Sequence, residues 1–263
     1  MLSKLLKYEF KATSRIFLPM YALLIVFALI NKLFMSINSE FLKIPRVIAM
    51  SAFVIIIVGI FVMTLVVTIQ RFNKNLLTDE GYLSFTLPVK AHTHIDCKII
   101  VTMVWYILSA VAAVLAILVL ALDQQSIADF QRFFLEFGEA IRQVGPQSAV
   151  LILEMSVAAL LCIYCGTIQI YASIAVGNLS SKHKLLAGIG AYLGLGMIEQ
   201  IIVSIFMSFN ADNLRNFFYP NTIPSVISAV EIVIFIMIVY FVVFSAAFYI
   251  LTNWLLKNKL NLE

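Results

Sequence analysis

Apolar residues fill six long stretches of the chain, and most polar residues lie between them. A helix that crosses a bilayer needs about 20 mostly apolar residues, because the hydrocarbon core is ~30 Å thick and each residue rises ~1.5 Å. Six stretches are long enough, at residues 16–36, 47–70, 98–122, 148–177, 185–208 and 224–251. The pattern therefore predicts an all-α membrane protein with six transmembrane helices in a single domain over residues 1–263.

Two other segments place apolar and polar residues on opposite helix faces. Residues 2–15 carry four apolar side chains on one face and four basic side chains on the other, which predicts an interfacial helix on the cytoplasmic leaflet. The alternative, a signal peptide, is disfavoured because the next run continues into Asn31 and Lys32 without a small-residue cleavage site. Residues 123–147 space their phenylalanines in the same way, which predicts a second amphipathic helix on the outer surface.

The composition agrees with membrane insertion. Hydrophobic residues make up 62% of the chain and charged residues only 12%, whereas a soluble domain is about one quarter charged. The net charge of +4 gives no indication of nucleic-acid binding, because the basic residues lie at the ends of the predicted spans. There they set topology and contact anionic lipid.

Lysine and arginine residues also predict the orientation. Twelve of the 18 fall on the side of the N-terminus, in segments 2–15, 71–98 and 178–184 and in the C-terminal segment. Because cytoplasmic loops carry the excess of basic residues, both termini and the 71–98 loop are expected in the cytoplasm.

The 71–98 loop has the composition of a docking element. It contains two acids, a glycine that permits a turn, aromatic and apolar side chains, and a proline: Asp79, Glu80, Gly81, Tyr82, Leu83, Phe85 and Pro88. Thr78 can cap a short helix, and the acids would then lie in its first turn, where the helix dipole favours anions. The loop either packs on its own helix ends or docks on a cytosolic partner, and composition alone leaves both open.

Three glutamates lie inside apolar spans, at Glu154, Glu199 and Glu231. A carboxylate at membrane depth costs a few kcal/mol or more, so a functional role is the hypothesis to test for such residues. They form a candidate substrate path, an outer vestibule for a cationic or polar substrate. The alternative is that they only bond to neighbouring helices.

A small-residue face opens the fifth span. Gly190 and Gly194 form a G-x-x-x-G motif, which permits close contact between helices. We expect packing within the chain rather than dimerisation.

Two groups of residues that could ligate a metal are expected to have structural roles instead. His92, His94, Asp96 and Cys97 lie too close together at one helix start to reach a single metal, so a solvated helix N-terminus is expected. Cys162 and Cys165 form C-x-x-C inside an apolar span, where a core role is expected. No metal site and no bound cofactor are predicted.

The sequence contains no recognised catalytic motif. H-E-x-x-H, G-x-S-x-G and the phosphate-binding G-x-x-x-x-G-K-[ST] are all missing from the chain. We therefore predict that this chain is not an enzyme and does not hydrolyse ATP by itself.

Two segments carry a resemblance to a known family. The first, before the six spans, is L-L-K-Y-E-F-K-A-T-S-R, and the second, between spans two and three, is L-L-T-D-E-G-Y-L-S-F-T-L-P-V. Both resemble segments of the membrane subunits of type-2 ABC exporters of low-GC Gram-positive bacteria. The resemblance covers the layout of the whole chain, and residues 77–89 are its most specific part.

The resemblance implies a function and partners. In such proteins the loop between spans two and three carries the coupling helix, which docks on a separate ATPase, and the N-terminal helix is the connecting helix beside it. It implies two ATPase subunits that bind ATP and Mg²⁺, a second permease copy or paralogue, and a bacterial cell membrane. The sequence does not specify the substrate, and peptide antibiotics, lipids, drugs and sodium all stay open.

Two other function classes compete with this one. A secondary transporter or ion carrier could use the three glutamates, but the six spans show no inverted repeat. A membrane-embedded hydrolase would need a catalytic motif that the sequence lacks.

Overall fold

The computed structural model describes residues 2–37, 40–77, 91–121, 124–145, 147–180, 182–209 and 223–258. Throughout these ranges the regular structure is helical. The helices are α1 Leu2–Ser36, α2 Lys43–Leu77, α3 Ala91–Leu120, α4 Gln124–Val144, α5 Gln147–Gly177, α6 Lys184–Phe209 and α7 Ile223–Asn258, and a short 3-10 turn, Glu40–Leu42, precedes α2.

Six of the described helices, all except α4, are long and apolar enough to cross a membrane. Their surfaces expose many large apolar side chains, such as Leu18, Ile55 and Ile250. Exposed apolar area on this scale is costly in water and costs nothing against lipid tails. The prediction of an all-α protein with six membrane-spanning candidates is confirmed for the described residues, as expected for a multi-pass membrane protein.

Helix α1 is continuous over 35 residues, so the 2–15 segment is not a separate helix. No glycine or proline occurs before Pro19, and nothing in the sequence breaks the helix at residues 15–16. Pro19 removes one backbone donor, but the helix continues through it. The basic side chains of the segment are exposed, while Leu6 and Phe10 pack partly buried against protein.

Helices α2 and α3 extend into the segment predicted as a loop. Helix α2 ends at Leu77 instead of residue 70, and α3 begins at Ala91 instead of residue 98. These extra turns are amphipathic, and Phe72, Leu76 and Ile95 are fully buried. Burial of apolar side chains therefore favours helix beyond the apolar run itself.

The chain divides into two compact units, and the first comprises Met1–Gln70 and Ile100–Gly145. Its core has two clusters, which join α1, α2 and α3: Leu24, Ala28, Phe53, Ile60 and Ala116 in one, and Phe17, Val67, Val101 and Trp105 in the other. Trp105 stacks on Phe17 with ring centroids 4.4 Å apart, and its indole N–H donates to the buried Thr13 hydroxyl at 2.8 Å.

Polar side chains also join the helices of the first unit. Tyr21 and Ser109 share a hydrogen bond of 2.8 Å, and the Asn31 amide donates to the Ala49 carbonyl at 3.0 Å. In an apolar medium such bonds satisfy groups that water cannot reach, so they fix the rotation of each helix against its neighbour.

Two basic side chains of this unit bond to the ends of helices. Lys32 donates to the carbonyl of Val119 near the C-terminus of α3, at 3.1 Å. Arg46 donates to the carbonyls of Phe34 and Ile37 at the end of α1, at 3.1 and 2.7 Å. The last carbonyls of a helix lack intrahelical partners and carry its negative dipole end, so a cation stabilises them.

Helix α4 belongs to the first unit and lies within the segment predicted as an outer amphipathic helix. Its phenylalanines contact one another rather than a core. The Phe130 and Phe134 rings meet edge to face at 4.6 Å, and both side chains are exposed.

The second unit comprises Arg71–Ile99 and Pro146–Glu263. Helix α5 packs against both α6 and α7. Phe72 at the end of α2 stacks on Tyr171 of α5 at 4.0 Å, and both rings are fully buried. The carboxylate of Asp96 on α3 accepts a hydrogen bond of 2.8 Å from the Tyr249 hydroxyl on α7. The ends of α2 and α3 are thus attached to the helices of this unit.

The close approach of helices occurs at a different pair of glycines from the one predicted. A Cβ on Gly177 would lie 2.5 Å from backbone atoms of Gly188, whereas one on Gly190 or Gly194 would meet no described atom within 4 Å. The prediction that Gly190 and Gly194 pack within the chain is therefore wrong for the described residues. Helix α6 turns its Gly188 side towards α5 instead.

Candidate functional site

The residues predicted to dock an ATPase lie outside the described part of the chain. These are Asp79, Glu80, Gly81, Tyr82, Leu83, Phe85 and Pro88. The three glutamates of the apolar spans are described, and each belongs to the second unit: Glu154 on α5, Glu199 on α6 and Glu231 on α7.

Glu199 on α6 is hydrogen-bonded to side chains of both α5 and α7. The Tyr240 hydroxyl on α7 donates a hydrogen bond to Oε1 of Glu199. The Gln169 amide on α5 donates to Oε2 at 3.3 Å. Each carboxylate oxygen therefore accepts one protein donor, which offsets part of the cost of placing the group at membrane depth.

A neighbouring glycine lies beside the Gln169 side chain. A Cβ added to Gly196, one turn before Glu199, would lie 3.6 Å from the Gln169 amide nitrogen, which is an ordinary van der Waals contact. Helix α6 therefore packs against Gln169 of α5 at this turn.

A cavity of about 770 Å³ opens beside this carboxylate, between residues of α6 and α7. Its polar lining includes Glu199, Gln200, Ser204 and Tyr240, and most of the remaining lining is aliphatic or aromatic. Pockets for small organic ligands are typically about 300–1,000 Å³, mostly apolar, with a few polar groups that orient the ligand. The cavity matches that description in size and lining.

The other two glutamates are not among the described residues that line this cavity. Glu154 is partly buried, and its Oε2 atom has no hydrogen-bond partner in the described part of the chain. Glu231 is also partly buried on α7. Of the three acids that the sequence grouped as one path, Glu199 lines this cavity between α6 and α7.

The His-Asp-Cys group at the start of α3 differs from its prediction. His94 and Cys97 are buried, at 6% and 2% exposure, and Asp96 bonds to Tyr249. The prediction of a solvated helix N-terminus is therefore wrong, because this turn packs within the second unit. In the described residues, no three His, Cys, Asp or Glu side chains come together where they could hold a metal.

The C-x-x-C pair divides between two environments. Cys165 is buried and Cys162 is exposed, and both are free thiols. A core role holds for Cys165 only.

Sequence reasoning did not identify Tyr240 and Gln169. A usable signal was present, since both carry polar groups inside apolar spans, where an unsatisfied donor is costly. Their shared partner depends on how three helices are rotated, which the residue pattern does not specify.

Comparison with known proteins adds no relative. No family model, curated protein or solved structure matches this chain.

Proposed function

We propose that this chain is the permease subunit of an ATP-driven ABC exporter in a bacterial cell membrane. The observation that carries the proposal is the segment at residues 79–88, D-E-G-Y-L-S-F-T-L-P, between the second and third membrane-capable helices. A separate ATPase subunit, present in two copies, binds ATP and Mg²⁺, and a second permease copy or paralogue completes the complex. The exported molecule is a peptide, a lipid or a drug.

The proposed coupling begins at the loop of residues 74–90, which transmits closure of the ATPases to the membrane helices. Contacts on both sides of the loop support such a relay. Phe72 is stacked on Tyr171 of α5, and Asp96 is bonded to Tyr249 of α7. Both contacts lie in the compact unit that also contains the Glu199 cavity. A displacement of the loop would therefore move α5 and α7 and change access to the cavity.

The proposed topology places both termini in the cytoplasm. Helix α1 is long enough for one end to extend beyond the membrane core, because its 35 residues span roughly 52 Å and the hydrocarbon core is only ~30 Å thick. About 15 residues must then lie outside the hydrocarbon. The basic N-terminal part, with Lys4, Lys7 and Lys11 exposed, is the part suited to the cytoplasmic surface.

A secondary transporter or ion carrier is the second candidate. The observation that favours it is the Glu199 carboxylate in a cavity at membrane depth. That mechanism would need no ATPase, so the presence or absence of a bound ATPase subunit distinguishes the two proposals.

The test is affinity purification of the full-length chain from its native membrane, followed by identification of the bound proteins. We expect an ABC ATPase in equal amount, with ATP hydrolysis that depends on the permease. Gradient-driven transport by the purified chain alone, without ATP and without a co-purified ATPase, would replace the export proposal with the secondary transporter.

A further inference from the structure

The cavity beside Glu199 combines aromatic side chains with one acid. Phe235, Tyr240, Phe241 and Phe244 contribute to its lining, and the Tyr240 ring lies 5.2 Å from Phe241 and 4.9 Å from Phe244. None of the described lining residues is a lysine, arginine or histidine. The negative faces of aromatic rings attract cations, and clusters of them bind organic ammonium groups.

The carboxylate itself has acceptor capacity left for a ligand. An ionised carboxylate has about four acceptor positions, of which the Tyr240 hydroxyl and the Gln169 amide use one each. Both protein groups are neutral, so neither supplies a counter-ion to the carboxylate. An anion without a counter-ion at membrane depth is costly, whereas a paired one costs much less.

We propose that this cavity binds a hydrophobic organic cation, with its positive charge paired to Glu199 and its apolar groups against Phe235 and Phe244. The inference rests on the proposed function only in treating the bound cation as transport substrate; the binding itself requires no ATPase. A hydrophobic anion would meet the Glu199 charge directly, and repulsion of this kind excludes wrong ligands.

The test uses tetraphenylphosphonium as the probe and tetraphenylborate as its anionic counterpart of similar shape. Equilibrium binding is measured on the full-length chain in nanodiscs, with empty nanodiscs subtracted for partition into lipid. We expect saturable binding of the cation and none of the anion. Glu199→Gln should weaken cation binding about tenfold or more, because it removes the opposite charge. Glu136→Gln on α4, an exposed acid in the other unit, should leave binding unchanged.

A second variant keeps the test decisive if Glu199→Gln fails to fold. Gln200 is an exposed residue of the cavity lining, so its replacement disturbs no core contact. Gln200→Lys should lower cation affinity by about tenfold or more through repulsion, and Gln200→Leu should not. Equal binding of the cation and anion, or unchanged cation binding in both Glu199→Gln and Gln200→Lys, would overturn the proposal.

Failure of this inference and failure of the export proposal are distinguishable. Charge-selective binding without a co-purified ATPase would leave the cation site intact and remove the ABC assignment. A co-purified ATPase without charge-selective binding would support the export proposal and remove the cation site.

Discussion

At the scale of single residues, Gly177 is a position where the backbones of α5 and α6 lie close together. Gly177→Ala would place a Cβ 2.5 Å from the Gly188 backbone, which cannot move aside as a side chain can. The helices would have to separate, and overpacking of this kind costs about 1–3 kcal/mol. We expect a lower melting temperature in nanodiscs. Gly194→Ala is the matched control, since its Cβ would meet no described atom within 4 Å, and it should not lower stability. Equal melting temperatures for the two variants would contradict the close approach.

Thr13 is the acceptor for the indole of Trp105, and both side chains are buried. Thr13→Val preserves the shape but leaves a buried N–H without that acceptor, which costs about 1–3 kcal/mol. We expect a lower melting temperature and a shifted Trp105 emission, measured in a Trp254→Phe background because the chain has only these two tryptophans. Thr13→Ser keeps the hydroxyl and should retain most of the stability. If the melting temperature of Thr13→Val equals that of the wild type, this hydrogen bond does not stabilise the packing of α1 against α3.

The sequence identified single residues where their placement was costly, and it did not identify their partners. Glu199 was found because a carboxylate in an apolar run needs compensation. Its partners Tyr240 and Gln169 were not found, and neither was the cavity between α6 and α7. The partners and the cavity depend on how the helices are rotated against one another, which the residue pattern does not specify. The small-residue face was assigned to the wrong glycines for the same reason: Gly190 and Gly194 fit the motif, but Gly188 and Gly196 are turned towards α5.

At the scale of helices, the six apolar runs were sufficient to predict the spans, because length and hydropathy alone set that requirement. The ends were less predictable. Phe72 and Leu76 extend α2 past its apolar run, and α1 joins its amphipathic and apolar parts without a break. In both helices amphipathic turns continue the span, which a hydropathy boundary does not detect.

The coupling segment yields a prediction that concerns a whole element. Tyr82→Ala combined with Phe85→Ala should weaken ATPase association by about tenfold or more, since aromatic anchors often contribute ~2 kcal/mol and ~1.4 kcal/mol is tenfold. Glu80→Lys should also weaken it, and more so at low salt, where charges are less screened. The measurement is co-purification of the ATPase with each variant, alongside ATPase stimulation in nanodiscs.

The control for this prediction is an aromatic residue on the opposite predicted side. Phe41 is 88% exposed next to the start of α2, and Phe41→Ala should retain full ATPase association. Transport should fall in the double alanine variant while insertion and melting temperature stay normal. Full association and full coupled activity in that variant would mean that the segment is only a packed turn.

At the scale of the whole molecule, the distribution of basic residues predicts the topology. Six lysines and arginines fall on the side predicted to be outside, against twelve on the other. Of the six, Lys32 and Arg46 donate hydrogen bonds to carbonyls at helix ends. The positive-inside rule predicts that the side with twelve basic residues, which includes the N-terminus, faces the cytoplasm.

The orientation can be measured with single cysteines and a membrane-impermeant thiol reagent applied to intact cells. The exposed Cys162 is first replaced by serine, and the parent carrying the buried Cys97 and Cys165 gives the background. Cysteines introduced at Ser126 and Asn213, in segments predicted outside, should react. Cysteines at Ser84 and Ser181 should react only after the membrane is permeabilised, which also shows that they are accessible from the cytoplasm. An even number of spans puts both termini on one side of the membrane. If the orientation is reversed, Ser84 and Ser181 should therefore both be labelled in intact cells, and Ser126 and Asn213 should both be protected. Labelling of Ser84→Cys in intact cells would put residues 78–90 outside, where no ATPase can dock, and the export proposal would fall with the topology.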